Sequence, residues 1–195
     1  LTPYGRYFKL TGHTIGKSAF SSEGINYLPL AAMVQASVTS TRDNHATDPD
    51  TGETVSVNQR NNSGVFCCAS VFLASKISDY LGGFVQWSYD NLATTADGTL
   101  GGHSGIDNTD IRLVGSHVAA GGAEADLIYG ATLNNNPTVQ DVWNSTPAFG
   151  FPFTASSLAS TPAAATVIDG GLAQQVAGIG GYMYWKKALY GELSF

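Results

Sequence analysis

Charged side chains are scarce in this sequence of 195 residues. Asp, Glu, Lys and Arg together make up 12% of it, about half of the share typical of soluble domains. Nine Lys and Arg residues face 15 Asp and Glu residues, which gives a net charge of −6. Nucleic-acid binding needs a basic face that neutralises phosphates, so the composition excludes a nucleic-acid partner.

Long apolar runs and spaced cysteine motifs are also missing. No stretch reaches the roughly 18 consecutive apolar residues of a transmembrane helix, although the alternating strands of a membrane β-barrel never form such a run. Cys67 and Cys68 are adjacent, and adjacent strand residues point to opposite faces. We therefore expect two thiols rather than a disulfide. Without CxxC, CxxCH or a spaced Cys/His set, the sequence predicts neither a zinc site nor a haem attachment site within this chain.

Alternation of apolar and polar residues predicts about seven β-strands, because the side chains of a strand point alternately to its two faces. The predicted strands are residues 30–41, 65–77, 81–89, 106–114, 125–133, 174–185 and 188–195. Short connections at 78–80 and 186–187 contrast with long ones at 42–63, 91–105 and 134–173. Strands of roughly nine to twelve residues with such alternating connections are typical of outer-membrane barrels.

Aromatic residues lie near the predicted strand ends, as the girdle of a membrane barrel requires: Trp87, Tyr89, Tyr129, Tyr182, Tyr184, Trp185 and Tyr190. A water-soluble β-sandwich or jelly roll also has alternating strands, but these are usually shorter and carry more charge. We therefore expect an all-β fold, an antiparallel up-and-down membrane β-barrel or part of one, in the bacterial outer membrane. Residues 28–195 form the barrel strands, and residues 1–27 form a connector. Single-chain bacterial barrels have even strand numbers, so seven indicates either missed strands or a longer chain.

One predicted strand has a charged face. Asn108, Asp110 and Arg112 alternate with Ile111 and Leu113. A charge that faces lipid costs several kcal/mol, so we expect the polar residues to face the lumen of the barrel. They form either a path for ions or redox partners, or an internal Asp110–Arg112 network that holds adjacent strands together, which is the favoured interpretation.

The longest predicted connection, 134–173, combines four prolines with large aromatic side chains: Trp143, Phe149, Phe151 and Phe153. Long loops without secondary structure are usually functional, and side chains this apolar avoid water. We expect the loop to fold over or into the barrel. There it forms either a constriction or lid over a cofactor, or an apolar cap that packs on a neighbour.

Two regions of the chain resemble a known family. Residues 1–12, LTPYGRYFKLTG, resemble the L-T-P-x-G-R-x-F-K-L-x-G-Y stretch of a proteobacterial family usually labelled "cytochrome c", where it closely follows a CxxCH motif. The second region comprises residues 107–112 (DNTDIR), 133–153 (LNNNPTVQDVWNSTPAFGFPF) and 168–178 (IDGGLAQQVAG). The resemblance covers almost the whole chain and is weakest between residues 44 and 63.

Members of that family combine an N-terminal monohaem cytochrome segment with an outer-membrane β-barrel, similar in plan to the cytochrome-porin fusions of iron-oxidising bacteria. The resemblance implies electron transfer at or across the outer membrane, with haem c attached upstream of Leu1. It also implies outer-membrane lipid, periplasmic or membrane redox proteins, and further copies or a larger complex as partners. Because the sequence begins after the position of CxxCH and stops before the remaining strands of the family, we expect it to be part of a longer polypeptide.

A monohaem site needs a second axial ligand, commonly His or Met. Among the four histidines, His103 is the first candidate, and His13 is the second because it is nearest to the implied attachment site. No Ser/His/Asp set, carboxylate pair or Cys/His pair has a catalytic spacing, so we do not expect an enzyme. The alternatives are a passive porin or structural barrel without redox function, and a soluble or surface-assembled β-protein.

Overall fold

The computed structural model describes residues 2–21, 24–25, 28–56, 61–94, 100–136 and 175–195. One helix, α1, spans Pro3–Leu10. The strands, in chain order, are β1 Phe20–Ser21, β2 Gly24–Ile25, β3 Leu30–Val38, β4 His45–Thr47, β5 Thr54–Ser56, β6 Gly64–Lys76, β7 Leu81–Thr94, β8 Leu100–His117, β9 Leu127–Asn134, β10 Gly178–Trp185 and β11 Leu189–Ser194.

Seven of these strands form one sheet in the order β11-β10-β9-β8-β7-β6-β3, and each neighbouring pair is antiparallel. The prediction of an antiparallel all-β fold is therefore confirmed, and the seven strands are those that the alternation predicted. The pairs β1–β2 and β4–β5 lie outside this sheet and were not predicted. Strands of two or three residues are too short to produce a detectable alternation.

The connections of the sheet differ in length between its two ends. Residues 77–80, 118–126 and 186–188 connect strands at one end, which we call the short-turn end. At the other end, the long-loop end, residues 39–63 and 135–177 connect strands, together with the short β7–β8 connection at 95–99. The predicted long connection at 91–105 is wrong, because β7 continues to Thr94 and β8 begins at Leu100. Register shifts between β7 and β8 interrupt the alternation on which that prediction relied.

The disulfide between Cys67 and Cys68 contradicts the prediction of two thiols. In the pairing of β3 with β6, Gln35 is opposite Cys68 and Ala36 is opposite Phe66, which leaves Cys67 as an extra residue. This β-bulge breaks the simple alternation that the prediction assumed.

Helix α1 lies in the segment that we expected to be a connector. Its start has an ordinary signal, because the Thr2 hydroxyl accepts a hydrogen bond from the Gly5 amide at 3.1 Å and Pro3 follows at the first helical position. Eight residues are too few for a stable isolated helix, so α1 depends on its contacts with the sheet. No helix in the described part of the chain has the length and apolar composition that crossing a membrane requires.

Candidate functional site

The two faces of the seven-stranded sheet differ in charge. Register and alternation place Gln86, Asn108, Asp110, Arg112 and Thr132 on one face, which we call the polar face. The opposite face is the apolar face. Each of the six Asp, Glu, Lys and Arg residues in the seven strands belongs to the polar face: Lys76, Asp90, Asp107, Asp110, Arg112 and Glu192.

The apolar face exposes large hydrophobic side chains along most of its width. Ile106 and Leu113 on β8 are 60% and 58% exposed. Other large hydrophobic residues exposed on this face are Leu30, Val34, Val38, Phe66, Val71, Trp87, Ile111, Tyr129, Leu133, Ile179, Met183, Trp185, Leu189 and Leu193. In contrast, the buried positions of the polar face hold many polar and charged residues alongside apolar ones. A sheet in a water-soluble protein usually has exposed charges on one face and buried apolar residues on the other.

A buried ion pair lies near the short-turn end of the polar face. Arg112 Nε donates a hydrogen bond to Asp110 Oδ2 at 2.6 Å, and the two residues are 0% and 3% exposed. Both residues belong to β8, so this hydrogen bond lies within one strand, and the predicted network between adjacent strands stays a prediction. Arg112 instead reaches the N-terminal segment, since its Nη1 donates to the Lys9 carbonyl at 3.1 Å.

Tyr182 completes this attachment of α1 to the sheet. Its hydroxyl donates a hydrogen bond to the Leu10 carbonyl at 2.6 Å, and its ring centroid lies 5.2 Å from the Arg112 guanidinium carbon. The carbonyls at the end of a helix have no partner within the helix, so donors from β8 and β10 satisfy two of them here. Leu10 also packs with Val114, Ile128 and Tyr182 in a small apolar cluster.

The residues after α1 approach the sheet closely. Gly12 has φ +60°, a conformation that favours glycine, and an added Cβ would collide with the Val114 side chain. On the other side of this contact, a Cβ on Gly82 would overlap the Gly12 carbonyl. Glycine at both positions is therefore required for the backbone of the N-terminal segment to lie directly on β7 and β8.

His13, the second candidate haem ligand, is enclosed at this contact. It is 5% exposed, and its ring lies 5.0 Å from the Phe8 ring and 6.0 Å from the Phe84 ring, measured between centroids. Neither ring nitrogen has a hydrogen-bond partner among the described residues. Burial, together with the charges of Arg112 and Lys9, lowers the pKa of His13 to about 3, so the imidazole is neutral at physiological pH.

Towards the long-loop end, a network of amides and hydroxyls continues the polar face. Asn108 Nδ2 donates to Gln86 Oε1 at 2.6 Å, and Asn136 Nδ2 donates to Asn108 Oδ1 at 2.8 Å. The Asp107 carboxylate accepts from both Gln86 and Ser88, each at 3.1 Å. Asn108 therefore belongs to this network, whereas Asp110 and Arg112 belong to the attachment of α1.

The described residues do not form a haem pocket around either candidate ligand. A ligating imidazole needs open space in front of one nitrogen, and the His13 ring is enclosed by aromatic side chains. His103 is exposed and lies opposite Asp90 in the pairing of β7 with β8. Asp90 is six residues along β7 from Phe84, and the Phe84 ring contacts His13. At 3.4 Å per residue the two histidines are about 20 Å apart along the sheet, so the two alternative candidates mark separate places in the fold.

The other predicted site residues have mixed outcomes. Trp143, Phe149, Phe151 and Phe153, the expected constriction or lid, lie outside the described residues. Of the residues of the predicted aromatic girdle, Tyr182, Tyr184 and Tyr190 belong to the polar face, whereas Trp87, Tyr89, Tyr129 and Trp185 belong to the apolar face. Tyr182 and Gly82 are the important residues of the site that sequence reasoning missed. No local pattern identifies them, because their partners lie 172 and 70 residues away in the chain.

Comparisons with protein-family models, with curated proteins and with solved structures found no match for this chain.

Proposed function

We propose that this chain is the β-barrel part of an outer-membrane protein, with its apolar face in lipid and its polar face towards the lumen. The observation that supports this proposal is the placement of all six charged strand residues on the polar face. In a bilayer an outward charge near the midplane costs about 2–4 kcal/mol, whereas a polar lumen tolerates charge.

A soluble β-sandwich is less consistent with the exposed surface. Burying a large apolar side chain stabilises a protein in water by about 1.5–3 kcal/mol, and this sheet leaves such residues exposed on every one of its seven strands. Lipid contact removes this cost, since hydrocarbon chains are as apolar as the side chains. The connections at the short-turn end have three to nine residues, whereas two of the three at the opposite end are long, as in barrels whose periplasmic turns are short.

For the biological role, we propose electron transfer at or across the outer membrane, as the barrel part of a monohaem cytochrome-porin. This part of the proposal relies on the family resemblance of residues 1–12 and 107–178. The attachment of α1 supports it, because Arg112 and Tyr182 hold the N-terminal segment on the polar face, where a passive pore would need open space. In this proposal the haem is attached to polypeptide upstream of Leu1. His13 does not supply an axial ligand of this haem, because its ring is enclosed.

Membrane insertion is testable through the tryptophans. Variants that keep only Trp87, in the middle of β7, or only Trp185, at the last position of β10, are folded into vesicles whose acyl chains are brominated at deep or shallow positions. We expect deep bromines to quench Trp87 more strongly and shallow bromines to quench Trp185 more strongly. If bromination at either depth leaves both emissions unchanged, the sheet is not embedded, and the soluble or surface-assembled alternative is correct.

The redox role is tested separately, by intact mass and a pyridine-haemochrome spectrum on protein purified from its native membrane. A mass well above 20.4 kDa with one haem per chain supports the cytochrome-porin proposal. Membrane-inserted protein without haem contradicts it and leaves the passive porin or structural barrel, which conductance measurements then distinguish.

A further inference from the structure

Cys67, Cys68 and Asp90 form a second cluster of chemically reactive groups on the polar face, nearer to the long-loop end than Arg112. One ligand atom from each residue lies within 4.8 Å of the others. Cys68 and Asp90 are directly opposite in the pairing of β6 with β7. The bulge at Cys67 brings the two adjacent sulfurs together, and the disulfide between them is the direct sign of that proximity.

We propose that the reduced form of this cluster binds a thiophilic divalent cation of the zinc type. Thiolate sulfur lies about 2.3 Å from zinc and carboxylate oxygen about 2.0–2.2 Å, so the ligand atoms of a tetrahedral site are roughly 3.5–3.8 Å apart. The three ligand atoms lie within 4.8 Å of one another, so once reduction separates the two sulfurs, small side-chain rotations bring all three to one ion. Two sulfurs and one oxygen leave the fourth position of a tetrahedral site for water.

The surroundings of the cluster suit a bound ion. Asp90 Oδ1 accepts a hydrogen bond from the Leu92 amide at 2.7 Å, which orients the carboxylate as outer-shell partners orient metal ligands. Cys67 is completely buried against Val65 and Leu92, whereas Cys68 and Asp90 are half-buried. The site is therefore apolar around Cys67 and partly exposed at Cys68 and Asp90.

The oxidation state of the sulfurs controls this site. A thiol or phosphine reductant supplies two electrons, and with two protons the disulfide becomes two thiols. Binding of the divalent cation then releases both protons and forms two metal–thiolate bonds. In the oxidised form both sulfurs are used by the disulfide, so only the carboxylate is available and the ion does not bind.

Cadmium is the probe for this proposal, because cadmium–thiolate bonds absorb in the ultraviolet. The full chain is reduced with a phosphine, separated from it under nitrogen and titrated with Cd²⁺. We expect one Cd²⁺ per reduced chain with a thiolate charge-transfer band, and none for the oxidised chain. Absence of the band in the reduced chain, or binding of equal strength in the oxidised chain, overturns the proposal.

Asp90→Asn tests the carboxylate, with Asp43→Asn in an exposed loop as the matched control. We expect Asp90→Asn to weaken cadmium binding at least about tenfold, the lower end of the effect of losing even an outer-shell partner. Asp43→Asn should bind like the wild type. Equal affinity in Asp90→Asn and wild type shows that Asp90 is not a ligand and overturns the three-residue site.

A measurement on the wild type alone covers the case in which a variant does not fold. Cd²⁺ should slow maleimide labelling of the half-buried Cys68 thiol in the reduced wild type, as followed by mass spectrometry. Labelling at an unchanged rate overturns the proposal. Cadmium binding depends neither on membrane insertion nor on haem. Failure of the metal-site proposal therefore leaves the proposed function unaffected.

Discussion

Arg112 is completely buried, and its guanidinium serves both Asp110 and the Lys9 carbonyl. We expect Arg112→Met to destabilise the folded protein by about 3–5 kcal/mol, because it leaves the Asp110 carboxylate buried without its charged partner. The measurement is urea unfolding of protein folded in lipid vesicles. The double variant Asp110→Leu/Arg112→Met should lose less, since it removes both charges. A double variant that is less stable than the single one would contradict this account of the pair.

His13 predicts a dependence of stability on pH. Its pKa is lowered from 6.5 to about 3, so the folded state keeps the ring neutral while the unfolded chain takes up a proton below pH 6.5. The contribution of His13 is therefore fully present above pH 6.5. It is lost at up to about 1.4 kcal/mol per pH unit as the pH falls towards 3. The measurement is the free energy of unfolding across this range.

His13→Asn is the appropriate comparison for that pH dependence, because Asn does not titrate and tolerates the left-handed backbone, φ +63° at this position. The variant should show a shallower fall of stability with acid than the wild type, whatever its absolute stability. Parallel pH curves for the two proteins would show that His13 already titrates normally in the folded state.

At the scale of elements, α1 and the residues after it depend on a glycine in the sheet. We expect Gly82→Ala to release the N-terminal segment, because the new methyl group would overlap the Gly12 carbonyl. Limited trypsin digestion measures this release as faster cleavage after Arg6 and Lys9, with the strands still intact. Gly83→Ala is the matched control on the same strand, where an added Cβ makes only an ordinary contact with Ile77. Equal cleavage of the two variants would contradict the role of Gly82.

The elements also show what sequence reasoning can reach. Strands with sustained alternation, such as β3 with Leu30, Val34 and Val38 on one face, were predicted because period two is a local property. The extents of β7 and β8 were not predicted, because bulges shift the alternation, and the Cys67–Cys68 disulfide was missed for the same reason. The shared face of Asn108, Asp110 and Arg112 follows from their local spacing. The identity of the other residues that they contact does not follow from it, because those residues lie far away in the sequence.

At the scale of the whole molecule, the apolar face gives a direct test of lipid contact. Ile106 is 60% exposed on this face, opposite Trp87 in the middle of the sheet. In a bilayer, Ile106→Arg should destabilise the protein by about 2–4 kcal/mol, whereas an exposed position in water changes stability by at most about 0.5 kcal/mol. Unfolding from vesicles measures the difference, and Ser78→Arg, in a turn of the short-turn end, is the control. Equal stability of the two variants argues against a lipid-facing sheet.

The attachment of α1 has a consequence for the order of assembly. The N-terminal segment contacts Gly82 on β7, Arg112 on β8 and Tyr182 on β10, so its binding surface exists only after the last of these strands has joined the sheet. Contacts this distant in sequence form slowly, because the entropy of closing long loops must be overcome first. The N-terminal segment is therefore the last to reach its place, and this part of the polar face stays open to water until the strands that form it are complete.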